Sequence, residues 1–370
     1  MAQTTRVETI ADQQAEKARQ LGTEGPSDAE LVVRRVLRSP LLSGDGGAYP
    51  WFGSVFGGSG MSIGAGYLKR LQNAASINVL AGISVNSSVL LEARLAAPEL
   101  WRGRIRVDAD AKWTDARDVS FYGFGPESNQ VRLRYDYNPT ELTGNVAYIP
   151  VTRLAVRGGY SFLSVDSTSD VPGLIAAVGH GLGEGLRYNV TRAGLEYDWR
   201  ASPAYSTRGG LYRTTWERYN ETNNFPYSFD LQEYEVSQLV PLVREQFVLA
   251  VRGLMTLTST TAGNDVPVML SPFLGSGSTL RGFHTRRFTD RNRVLLTGEY
   301  RWRPSRYLDM ALLVDAGQVQ ADRRDFQIRE FEVNWGIGAR FHGPTFTAFR
   351  VELVRGREGF NLVFAGSQIF

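Results

Sequence analysis

From residue 49 onward the chain alternates with a period of two, and its two faces are chemically opposite. Val294, Leu296, Gly298, Tyr300 and Trp302 share one face, while Arg293, Thr297, Glu299, Arg301 and Arg303 share the other. Leu308, Met310, Leu312, Val314 and Ala316 oppose Tyr307, Asp309, Ala311, Asp315 and Gly317 in the next segment. Ile105, Val107, Ala109, Ala111 and Trp113 alternate with Arg104, Arg106, Asp108, Asp110 and Lys112. Phe331, Val333, Trp335, Ile337, Ala339 and Phe341 do the same against Glu330, Glu332, Asn334 and Arg340, and Phe349, Val351 and Leu353 against Arg350 and Glu352. A helix cannot sort such a pattern onto two faces, so the segments read as strands. One side of the sheet must meet an apolar medium and the other a polar one.

Turn signals divide this region into sixteen strands, near 49–58, 61–71, 76–86, 88–99, 103–114, 133–150, 153–165, 187–200, 209–220, 226–241, 245–258, 292–303, 306–318, 329–342, 345–355 and 359–370. Connections after even strands are short (101–103, 304–305, 343–344), and several after odd strands are long (115–132, 166–186, 259–291). An even number of antiparallel strands with short turns at one end and long loops at the other suits a transmembrane β-barrel. The expected fold is therefore all-β, a 16-stranded antiparallel barrel over 49–370. No segment approaches the ~18 consecutive apolar residues of a membrane-spanning helix, whereas barrel strands need only about 9–11 alternating ones.

A soluble sandwich or propeller also alternates, but its strands seldom carry arginine and glutamate throughout the face opposite the core. Tyr49, Trp51, Trp101, Trp199, Tyr212, Trp302 and Tyr307 fall near expected strand ends, as an interfacial girdle requires. Phe370 closes the chain with Phe364 and Leu362 at even spacing. The chain has no cysteine, a mild pointer to an oxidising compartment. Its 41 basic and 38 acidic residues are dispersed, which argues against nucleic acid as a partner.

Residues 1–48 differ from the rest. Ile10 to Leu21 reads as a short helix, 22–26 breaks it, and Ser27 with Glu30 forms a capping box for a second helix through Arg38. Leu31, Val32, Val36 and Leu37 form one modest apolar stripe. This N-terminal extension would dock as a periplasmic cap or enter the lumen. Met1 to Thr5 lacks the basic and apolar regions of a signal peptide, so an exported chain would here be a mature form with an added methionine.

Enzymatic signatures are sparse. His180, His284 and His342 lack metal-ligand spacing, and no thiol completes a zinc site. Gly57 to Met61 lacks the last glycine of a nucleophile elbow, and the phosphate-loop-like run from Gly277 to Gly282 is followed by Phe283 where a lysine belongs. The expectation is a non-enzyme with no cofactor and no metal. A serine/histidine pair hidden in the strands is the alternative.

Leu280, Arg281, Gly282 and Phe283 stand apart. Gly282 permits a tight turn, Phe283 offers an apolar anchor, and the guanidinium fork of Arg281 suits carboxylates. Glu299 and Asp315 sit on the polar face of the next two strands. If the long loop folds inward, Arg281 would pair with one or both acids and pin it; otherwise this is a surface loop near two unrelated charges.

The tetrad resembles the V/L-R-G-F/Y motif of the outer-membrane assembly and translocation barrel superfamily, which includes the BamA and TamA insertases, two-partner secretion translocators and bacterial surface antigen proteins. The strands around Glu299 and the run LVDAGQV from 313 to 319 resemble the two strands that partner that motif. The similarity covers roughly 49–370. It implies a sixth extracellular loop folded into the lumen, Arg281 bound to Glu299 and Asp315, and a weak seam between first and last strands. Gly366 to Phe370, small and polar at 366–368, would lie on that seam. One departure is that 48 residues cannot hold a periplasmic polypeptide-transport domain. The resemblance implies a bacterial outer-membrane protein that inserts or translocates polypeptide or lipid, with membrane lipid, client polypeptides or a periplasmic protein as partners. A channel constricted by the sixth loop, or a surface docking protein, is the other reading.

Overall fold

In the computed structural model, the described residues are 46–366, apart from 128–130, 172, 204, 244, 306 and 344–346. The expected N-terminal helices and Ser367 to Phe370 lie outside them.

The alternation folds as strands β1 (Gly47–Gly53), β2 (Ser62–Arg70), β3 (Ser76–Ser84), β4 (Val89–Leu100), β5 (Ile105–Phe121), β6 (Leu133–Val151), β7 (Leu154–Thr168), β8 (Leu186–Asp198), β9 (Gly209–Glu221), β10 (Phe229–Val243) and β11 (Phe247–Thr260). After a short pair, β12 (Phe273–Leu274) and β13 (Phe288–Thr289), come β14 (Asn292–Ser305), β15 (Leu308–Gln320), β16 (Glu332–His342), β17 (Thr347–Gly356) and β18 (Gly359–Ala365). All but β12 and β13 join one 16-stranded sheet in chain order, curled into a nearly closed barrel. Among the described residues no ladder joins β18 to β1.

The faces are inverted relative to a water-soluble core. Leu296, Leu312, Val314, Trp335, Ile337, Leu353 and Phe364 point outward and are exposed, whereas inward-pointing Arg301, Arg340 and Arg350 are 3%, 1% and 1% exposed. Aromatic side chains pair at the short-turn end of the outer face. Tyr197 stacks on Tyr212 at 6.3 Å, Phe247 on Tyr300 at 6.0 Å and Phe341 on Phe349 at 4.5 Å.

Three strand ends differ from the expected ones by five residues or more, the first being β1, which ends at Gly53 rather than at 58. β5 runs on to Phe121, through residues expected to be loop, because a bulge at Arg117 and Asp118 shifts the alternation by one. Asp118 takes φ +57° there, and the carboxylate of Asp136 accepts its N–H at 2.8 Å. β18 stops at Ala365, and Gly366 is an exposed bend beyond it. At the long-loop end Ala116, Val119, Phe121, Tyr135, Leu163 and Tyr188 pack with Leu174 of the helix α1 (Leu174–Val178) and with Val266, Val268 and Met269 of the 261–291 segment.

The first strand is held by its aromatic side chains. The Tyr49 ring lies on Gly66 of β2 and its hydroxyl donates to Asn78 Oδ1 at 2.7 Å, while Trp51 lies on Gly82 of β3. A Cβ at Gly82 would sit 2.4 Å from the Trp51 ring. Gly82→Val is therefore expected to cost about 1–3 kcal/mol by overpacking and to raise amide exchange selectively in β1. Denaturant unfolding with hydrogen exchange checks this.

Candidate functional site

Residues 261–291 leave the wall after β11 and return at β14, and part of the segment lies inside the barrel. It is shaped by its own short ladder, Phe273 with Thr289 and Leu274 with Phe288. Gly275, at φ +93°, is where the backbone passes too close to His284 for a side chain; a Cβ would lie 2.2 Å from its carbonyl oxygen. Leu274, Leu280, Phe283 and Phe288 then pack with Leu254, Leu295 and Val319 of the wall. That apolar seat fixes the turn from Leu280 to Phe283, closed by the Phe283 N–H donating to the Leu280 carbonyl at 3.2 Å.

The turn aims Arg281 at three strands at once. Its Nε and Nη2 donate to the two oxygens of Asp315 on β15 at 2.9 and 2.7 Å, and its backbone N–H reaches the same carboxylate at 3.3 Å. Nη1 donates to Glu299 on β14 at 2.7 Å and to Glu352 on β17 at 3.1 Å. Arg281, Asp315 and Glu299 are 0%, 0% and 1% exposed, so none of this charge is screened by bulk water. Arg340 on β16 also donates to Glu299, at 2.6 Å, and Arg301 donates to it at 2.9 Å. Arg350 donates to Glu352 and to the Gly277 carbonyl of the loop. Four arginines and three carboxylates thus form one buried network. Each acid is held by a charge-assisted bond, the arrangement that makes burial of ions tolerable.

Gly282 is required for a different reason from the one its sequence context suggests. Its φ is not in the left-handed region, but a Cβ would lie 2.7 Å from Asn334 Cβ and 2.8 Å from the backbone nitrogen of Gly356. Here two backbones, loop and β17, touch directly. The loop is also tied to the last hairpin: Asn361 of β18 donates to the Arg281 carbonyl at 2.8 Å, and Arg287 donates to Glu358 at 2.6 Å. The structure thus brings Leu280, Arg281, Gly282, Phe283, Glu299 and Asp315 together. Gly366 is at the free end of β18, and Phe370 lies outside the described residues.

Glu352, Arg340, Arg301 and Arg350 belong to the network without having been singled out in the sequence. Their signal was membership of the charged face, but register decides which of those charges meet. Arg340 pairs with Arg350 and Gly338 with Glu352 across β16 and β17, which brings that acid within reach of the loop.

No family model matches the chain, and no curated protein matches it in sequence. Solved structures do match in fold. BamA from Haemophilus ducreyi lacking POTRA domains 1-3 superposes with a TM-score of 0.62 at 13% identity, over 86% of this chain and 69% of that one. CdiB from Escherichia coli gives 0.60 at 13% identity, over 86% and 61%, and CdiB from Acinetobacter baumannii 0.53 at 11%, over 86% and 58%. The chain spans about three-fifths of the length of either CdiB structure. At this identity the likeness establishes a shared barrel fold.

Arg281→Ala would strip buried Asp315 of the guanidinium that bonds both its oxygens, a change expected to destabilise the folded loop by about 3–5 kcal/mol. Arg281→Lys, which keeps the charge without the fork, should recover only part of that loss. Protease sensitivity of the 261–291 segment in the folded barrel reads both, and unchanged protection in Arg281→Ala would show that the network does not hold the loop.

Proposed function

We propose that this protein is a bacterial outer-membrane barrel that inserts or translocates polypeptide, with the seam between β18 and β1 as the place where a client strand engages. The single observation that carries the reading is the absence of a ladder between those two strands among the described residues, in a sheet otherwise paired throughout. An unpaired edge presents N–H and C=O groups that an incoming strand can satisfy. The inside-out distribution of apolar and charged side chains supports membrane embedding, with lipid against the exposed face. The fold shared with BamA and CdiB and the L-R-G-F tetrad support the assembly-and-translocation class. Residues 1–48 would be the segment that meets a periplasmic protein.

A second reading, a gated channel, draws on the other half of the lumen. A polar cavity of about 300 Å³ lies against β4–β8, lined by Glu92, Asp110, Lys112, Glu141 and Arg192. It leaves room for water against these strands.

Liposomes carrying the full chain should accelerate folding of an added, urea-unfolded outer-membrane barrel relative to empty liposomes, with little steady conductance in planar bilayers. Steady conductance without any effect on client folding would favour the channel.

A further inference from the structure

The connection between β8 and β9, residues 199–208, is longer than its neighbours at 152–153 and 306–307 on the same end of the barrel. Its base is tight: Gly209 takes φ +102°, and a Cβ there would lie 2.4 Å from the Trp199 carbonyl. Ser206 fastens its interior, accepting from the Ala201 N–H at 3.1 Å and donating to the Arg208 carbonyl at 2.6 Å. From this base Tyr205 reaches a distant part of the wall. Its hydroxyl donates to Asp309 on β15 at 2.9 Å and accepts from Arg303 on β14, and its ring stacks on His342 of β16 at 3.9 Å between centroids. Tyr205 is 6% exposed there.

The reach spans several strands on one side of the rim. In sheet order β15 stands four strands beyond β9, roughly 20 Å at the usual ~4.8 Å strand spacing. On the way, Thr207 donates to Glu245 in the β10–β11 turn at 3.0 Å, which supports the connection where it passes. The docking site is placed directly below the arginine network. Arg303 is the next inward position after Arg301 on β14, and His342 the next after Arg340 on β16.

We propose that the 199–208 connection is a strap that closes the short-turn mouth of the lumen beneath the inward loop. The hydroxyl of Tyr205 both donates and accepts, and the stack covers His342. Ion flow through the barrel then requires Tyr205 to leave Asp309, Arg303 and His342. The strap rests on the barrel being membrane-embedded but not on what client, if any, it handles.

The test is conductance of the full chain in planar bilayers. Tyr205→Ala should raise conductance severalfold over wild type, and Tyr205→Phe, which keeps the stack but loses both hydrogen bonds, should fall between them. Because the chain has no cysteine, a Tyr205→Cys/His342→Cys variant can be joined specifically by a cleavable thiol-reactive crosslinker. Joined barrels should conduct like wild type and cleaved ones like Tyr205→Ala. Equal conductance of joined and cleaved forms of the same folded barrel would overturn the strap. Because this readout is ion flow alone, its failure leaves the client-folding result standing, and the reverse holds too.

Discussion

The rest of the lumen is organised around a guanidinium buried where water cannot solvate it. An isolated charge at such a place would cost several kcal/mol, so Arg281 is tolerable only while Asp315, Glu299 and Glu352 surround it. Glu299 and Glu352 are shared in turn with Arg340, Arg301 and Arg350. The network is therefore cooperative. It is built from four successive strands of the wall plus a loop, and any rearrangement that moves the loop must find a new partner for Asp315 and takes one cation from Glu299 and Glu352. Apolar packing of Leu280 and Phe283 sets the position of the turn, but it is the charges that make the position exclusive.

How much of this was legible in the sequence depends on which link is asked about. The strands were legible because alternation is local: Leu296 and Leu312 outside, with Glu299 and Asp315 inside, follow from parity alone. β5 was legible only up to its bulge, since the extra residue at Asp118 reverses the parity by which a strand is recognised. The Arg281 pairing was readable as one of two alternatives, from residue chemistry and from resemblance. Glu352 was not, because its proximity depends on the register of β16 on β17 and on the stagger of strands around the wall. Tyr205 carried no signal at all. A tyrosine in a turn is ordinary, and its partners Asp309 and His342 are remote in sequence, so only the folded wall brings them together.

Gly282 shows how the same residue can be picked for one reason and needed for another. A glycine beside an arginine in a loop suggests backbone freedom at positive φ. In the structure the demand is close approach instead, with Gly356 supplying the matching gap on β17. The pair lets main chain contact main chain, so the Arg281 carbonyl comes within reach of Asn361 on β18. Glycine at 356 is thus part of the loop's docking surface although it lies on a strand with no motif of its own.

These contacts bear on the unpaired edge. In a closed barrel each strand is secured by two ladders; β1 and β18 have one each among the described residues and would fray if nothing else held them. What holds them acts from the lumen. On one side Tyr49 and Trp51 lie across Gly66 and Gly82, and on the other Asn361 is bonded to the loop and Val363 packs beside Gly277. Side-chain anchors of this kind position a strand without a second ladder. Under the proposed function, an edge held in this way would lower the entropy lost when a client strand pairs with it. The loop that the network fixes is thus one of the restraints on β18.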